Sequence, residues 1–224
     1  MNGLEKQLWL ITFPRQVLWL FVVLNITSMI LYPGSTYRDH LTLGYSFTEN
    51  FLSDLGRTLT FSGKINFLSS QLFNMSLVLA GGVFSLFYLH VRKVFNLDKQ
   101  KILAFIGSLF GILGGISLAG VGLTPADLYL DLHIICANWL FRFMFVASFF
   151  YTIVIFRHPI FENKYAGGYL VFSITILLYI LISELGPDPK LNFFALGIQV
   201  ISQKMILIIF IVAVYVQTLG LQKL

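Results

Sequence analysis

Hydrophobic positions along the chain run in six long blocks, roughly Val17 to Leu31, Ile65 to Leu89, Ile102 to Leu123, Asp131 to Phe156, Gly168 to Ser183 and Ala195 to Leu219. Most approach or exceed the roughly 20 apolar residues that a helix needs to cross a bilayer. Continuous apolarity of this length, without the alternation of a strand, predicts an all-α, polytopic membrane protein. Residues 1–224 then form a single domain of six transmembrane helices.

Polar positions inside the blocks follow helical spacing. Asn66, Ser70 and Asn74 recur every fourth residue in the second span, a stripe too costly to turn towards lipid. In the third span Gly107, Gly111, Gly115 and Ala119 form a ridge of small residues that lets a neighbouring backbone approach, or offers a docking face for a membrane-protein partner. Asn25 and Ser28 in the first span suit hydrogen bonding between helices. The sixth span carries Gln199, Ser202, Gln203 and Lys204.

Two further helices are predicted outside the spans. Leu4, Leu8, Trp9 and Phe13, mixed with Lys6 and Arg15, suit a short interfacial helix before the first span. Within the long connection from Tyr32 to Lys64, Ser46 followed by Glu49 reads as a capping box. Phe51, Leu52, Leu55 and Leu59 then line the apolar face of an amphipathic helix over Ser46 to Leu59.

Composition agrees with the pattern, at 57% hydrophobic and 11% charged residues. Topology explains the net charge of +5 better than a nucleic-acid partner does, and none is expected. With the amino terminus in the cytoplasm, Lys6, Arg15, Arg92, Lys93, Lys99, Lys101, Arg157, Lys164 and Lys223 lie inside. Only Arg38, Arg57, Lys64 and Lys190 lie in outer loops. That asymmetry places the protein in the cytoplasmic (inner) membrane with both termini cytoplasmic. No small-x-small cleavage pattern follows the first span, so it reads as a retained anchor. Cys136 is the only cysteine, which rules out an internal disulfide.

Candidate chemistry concentrates in Gly122 to Arg142, GLTPADLYLDLHIICANWLFR. Arg142 falls about 16 Å along the helix from Asp131, and Lys204 about 14 Å from Ala195, at the usual rise per residue. Ionisable groups at such depth in a bilayer are functional by default. Together they suggest an outward-opening polar pocket that binds or processes a lipid or other amphiphile with an anionic head group. Arg142 and Lys204 would form its floor, with Asn74, Asn138 and Gln203 as hydrogen-bonding groups. Asp127 and Glu184 lie at its mouth, and Asp54 and Arg57 in its lid. Membrane lipids are the expected partners.

If chemistry occurs, His133 with Asp131 would move the proton. A membrane-embedded hydrolase using Ser53, His133 and Asp127 or Asp131 is an alternative, although no GxSxG elbow presents Ser53 as a nucleophile. Another alternative is a non-catalytic subunit or scaffold of a larger membrane complex, and against the pocket itself stands a structural network in which Arg142 pairs with Asp54 or Glu184 and nothing binds. Too few ligands gather around His133 for a zinc site, so no metal or cofactor is expected.

The segment YSFTENFLSDLG, from Tyr45 to Gly56, resembles the NFLSDLG-type signature of an uncharacterised family of bacterial and archaeal six-span membrane proteins. GLTPADLYLDLH, ending at His133, and Asn138 to Arg142 look like that family's second signature. The resemblance implies a six-helix membrane fold and brings no activity with it. A fainter similarity is to the membrane hydrolases that include alkaline ceramidases, where acidic, asparagine and serine residues precede zinc-binding histidines. In GIQVISQKMIL of the sixth span those histidines are missing, so that zinc site does not carry over.

Overall fold

The computed structural model describes residues 2–95 and 98–224. Among them, six helices are long and apolar enough to cross a membrane: α1 Gly3–Leu31, α2 Phe67–Val91, α3 Asp98–Leu123, α4 Leu130–Phe156, α5 Lys164–Leu185 and α6 Phe193–Lys223. The side chain of Lys99, counted above among the cytoplasmic cations, lies outside the described residues.

The expected interfacial helix is not a separate element. The chain enters helix at Gly3, where Asn2 Oδ1 accepts from the Glu5 amide at 2.8 Å, and continues directly into α1. A wider π-helical turn over Leu8–Thr12 marks the join, ending two residues before Pro14, whose nitrogen cannot donate to the helix.

Successive helices pack antiparallel, and a polar pair ties each seam. Asn25 Nδ2 donates to Ser76 Oγ at 3.1 Å between α1 and α2, and Ser85 Oγ to the Ile112 carbonyl at 3.4 Å between α2 and α3. Ser108 meets the Tyr151 hydroxyl at 2.6 Å between α3 and α4, and Ser173 donates to Ser148 at 2.7 Å between α4 and α5. Gln217 Nε2 reaches the Tyr165 carbonyl at 2.6 Å between α5 and α6. Arg15 closes the ring, donating to Thr218 at 2.8 Å and to Gln222 at 3.1 Å. Side-chain hydrogen bonds of this kind hold helices together where lipid supplies no hydrophobic drive.

The small-residue ridge of α3 is used within the bundle. A Cβ at Gly81 of α2 would lie 2.5 Å from the Gly115 carbonyl oxygen, while Gly111 lies against the Tyr88 ring and Gly107 against Tyr151 of α4. Of the ridge Gly107, Gly111, Gly115 and Ala119, α2 and α4 cover most within the bundle.

The predicted amphipathic helix over Ser46 to Leu59 also gives way, to a single 3-10 turn, Leu52–Gly56. Its capping box does not form. Glu49 turns to the Thr36 hydroxyl at 3.3 Å, and the Ser46 amide donates to Asn50 Oδ1 at 3.0 Å. Asn50 and Asp54 capture backbone groups that a helix would need, the usual competition from short polar side chains.

Candidate functional site: a capped cavity

The turn Leu52–Gly56 sits as a stopper on one end of the bundle, here the loop end, held by side chains from above and below. From α2, Asn66 Nδ2 donates to the carbonyls of Leu55 at 3.0 Å and Arg57 at 2.8 Å. Ser69 adds a bond to Leu55 at 3.3 Å, and both Ser70 and Asn74 donate to the Gly56 carbonyl at 3.0 Å. The polar stripe of α2 therefore clamps three consecutive carbonyls, and Asn74, expected to meet a ligand, holds backbone instead. No side chain longer than hydrogen fits at Gly56, because a Cβ there would meet Asn74 and lie 2.9 Å from the Phe73 ring.

Asn50, fully buried, is the hub of the stopper. Its Nδ2 donates to Asp54 Oδ2 at 3.1 Å and to the Ser35 carbonyl at 3.0 Å. Ser35 adopts φ +78°, a conformation rarely taken by residues other than glycine, and its amide donates to the Thr42 carbonyl at 2.7 Å. The Asn50 carbonyl accepts from Lys204 Nζ at 2.6 Å and from the Tyr45 hydroxyl at 3.1 Å. Rings of Tyr45 and Phe47 flank the same ammonium at 5.3 and 4.9 Å.

Asp54 accepts from the Phe51 amide at 2.9 Å as well as from Asn50. Burial pushes its carboxyl up to about 6, against the opposing pull of these bonds and of the Arg57 and Lys204 charges. Asp127 behaves oppositely. Partial burial disfavours its ionised form, but bonds from Thr58 Oγ1 at 2.6 Å and from the Thr58 and Leu59 amides at 2.9 Å outweigh that and hold it below the usual carboxylate range. It tethers the connection between α3 and α4 to the long loop.

Beneath the stopper lies a cavity of about 130 Å³ reached by all six helices. Leu18, Phe84, Leu118, Met144, Ile176 and Phe210 are among the apolar side chains on its walls. Among the described residues, polar lining comes from Ser53, His133 and Gln203, all towards the stopper. Gln203 Oε1 accepts from the Leu52 amide at 2.9 Å, and His133, 7% exposed, contacts the Thr124 carbonyl through Nδ1 at 2.7 Å.

The two deep cations do not share a floor. Lys204 is buried and committed to the stopper, whereas Arg142 lies on the outer flank of α4, 38% exposed, paired with Glu184 of α5 and bonded to the Asn138 carbonyl. Asn138 and Asp131 are exposed on that flank. Neither Arg142 nor Lys204 lines the cavity. The cavity is thus apolar with a polar rim, and Arg142 and Lys204, expected at a pocket floor, lie apart from it.

The Ser53, His133 and aspartate arrangement is half assembled. Ser53 and His133 line one cavity, but a backbone carbonyl occupies the Nδ1 side of His133, Asp127 serves the loop, and Asp131 is exposed. Arg57, expected to close a lid, donates to the Leu59 carbonyl at 3.2 Å and stacks on the Phe61 ring. Asn50 and Thr124 were not singled out in the sequence as structural partners, whereas Asn66 belongs to the inward polar stripe read there. A signal for the first was its position one turn before Asp54, within reach of the same backbone.

Fold and site together define a multi-pass membrane protein with a stoppered cavity inside a six-helix ring. The chain belongs to the family described as protein of unknown function (DUF998), which it matches over residues 26–217. That span includes the whole stopper and every cavity-lining residue except Leu18 and Phe21. Comparisons with curated proteins and with solved structures gave no match.

Proposed function

We propose that the protein binds an amphiphilic molecule of the membrane, the apolar chain in the central cavity and the polar end at Ser53, His133 and Gln203. One observation carries this reading: the cavity's polar lining is confined to its stoppered end while the remaining walls are apolar. Ligand sites combine an apolar lining with a few convergent polar groups in this way. The asymmetry of basic residues supports a cytoplasmic membrane location with the stopper facing out of the cell.

Mass spectrometry of the protein released from membranes tests the reading. The wild type is expected to retain a lipid-sized molecule that Ala137→Phe, which fills the cavity, loses. Equal retention by both proteins, or by neither, counts against it.

A second reading, hydrolysis of the bound amphiphile, draws on Ser53 and His133 lining the same cavity. With Nδ1 turned to a carbonyl, the Nε2 lone pair of a neutral His133 is the available base. Unchanged turnover of membrane lipids by Ser53→Ala and His133→Ala would remove this reading and leave the binding role standing.

A further inference from the structure

Hydrogen-bond direction at the cavity rim restricts the polar end of any ligand. The Thr124 carbonyl can only accept, so Nδ1 of His133 carries the proton and Nε2 of the neutral ring is an acceptor. The Leu52 amide can only donate, so the oxygen of Gln203 is fixed towards it; of its NH2 group, one N–H faces the Tyr179 hydroxyl and the other remains as donor. Among the described residues, the Ser53 hydroxyl has no hydrogen-bond partner and can act in either sense. The rim therefore offers one acceptor, one donor and one group of either kind.

It offers no permanent cation. Among the described residues no lysine or arginine lines the cavity; the Lys204 ammonium rests on the Asn50 carbonyl and Arg142 on Glu184. A carboxylate or phosphate placed there would be buried without a charged partner, which is strongly unfavourable. A hydroxyl meets all three groups, donating to His133 and accepting from Gln203 or Ser53.

The chain is restricted as well. From Phe73 to Phe84 on α2, and from His133 to Met144 on α4, the lining extends about 16 Å along the helices at the usual rise per residue. A volume of about 130 Å³ over that length excludes two chains side by side, and a single unbranched chain enters only as apolar side chains along its path turn aside.

Building on the proposed binding role, we infer that the ligand is a single-chain amphiphile with an uncharged hydroxyl head, of the class of long-chain alcohols. Hydrogen-bond direction and the missing charge decide against an anionic head group at this rim.

Two photoactivatable probes of equal chain length test this, an alcohol and the matching carboxylate, each with a diazirine at the far end of the chain. Both are equilibrated with the full-length protein in lipid nanodiscs at mildly alkaline pH, irradiated, and mapped by peptide mass spectrometry. The alcohol is expected to label Phe84, Met144 or Phe210, to be displaced by excess untagged alcohol, and to exceed the carboxylate at these residues by about tenfold or more, as polar mismatch at a buried site produces. His133→Phe is expected to narrow that ratio, with thermal unfolding checked alongside. Equal or stronger cavity labelling by the carboxylate overturns the uncharged head group and leaves chain binding intact. Labelling confined to the lipid-facing residues with both probes overturns the binding role and this inference with it.

Discussion

Lys204 Nζ, buried in α6, donates to the main-chain carbonyl of Asn50 at 2.6 Å, across 154 positions of sequence. A cation within a membrane helix thus serves to fasten a loop. Charge-assisted bonds to buried backbone contribute about 1.5 to 3 kcal/mol. Lys204→Met is expected to lower stability by that order and, more specifically, to loosen residues 45–57. Hydrogen exchange on that segment reads the effect; unchanged protection there would show that the ammonium does not hold the stopper.

The stopper also carries a pH signature. In the folded protein the Asp54 carboxyl is raised from 3.8 to about 6, so the fold binds its proton more tightly than the unfolded chain does. Stability from this group therefore rises as pH falls from about 6 towards 3.8, and the burden of the buried charge is complete above about 6. Asp54→Asn keeps an acceptor for the Phe51 amide and removes the titration. Thermal unfolding across that window is expected to show a wild-type slope that the variant lacks.

Clamping of consecutive carbonyls by α2 makes Asn66 and Asn74 parts of one device. Each alanine variant leaves a carbonyl short of a donor, a loss of about 1 to 3 kcal/mol. Because they hold the same turn, the double variant is expected to lose less than the two single losses combined. Gly56→Ala, which forces a methyl group against Phe73 and Asn74, is expected to be destabilising by about 1 to 3 kcal/mol through overpacking. Chemical denaturation in detergent measures all four.

Arg142 and Glu184 form an exposed pair on the lipid-facing flank. Removing one partner strands a charge beside lipid, whereas removing both does not. Arg142→Leu or Glu184→Leu alone is expected to reduce the folded yield in membranes, and the double variant to restore it. Failure of the double variant to recover would mean that the pair has a role beyond mutual neutralisation.

The six spans were legible because length and apolarity alone specify membrane helices. Their polar residues were legible as positions but not as partners. Asn74 and Lys204 were rightly turned inward, yet what they meet is backbone from a distant loop, and an irregular turn has no periodicity to announce it. For Arg142, helical spacing gave the depth along α4 and left a pocket floor and a pair with Asp54 or Glu184 both open; the packing of α5 brings Glu184 to it. The false helix over Ser46 to Leu59 came from a capping pattern whose own Asn50 and Asp54 prefer to bind backbone elsewhere.

The most direct test of the central claim is the structure of the purified protein in nanodiscs of its own membrane lipids. Elongated density is expected inside the helix ring, beginning among Ser53, His133 and Gln203 and running between Phe84, Met144 and Phe210. A cavity empty of chain density, or closed by inward collapse of those side chains, would contradict it.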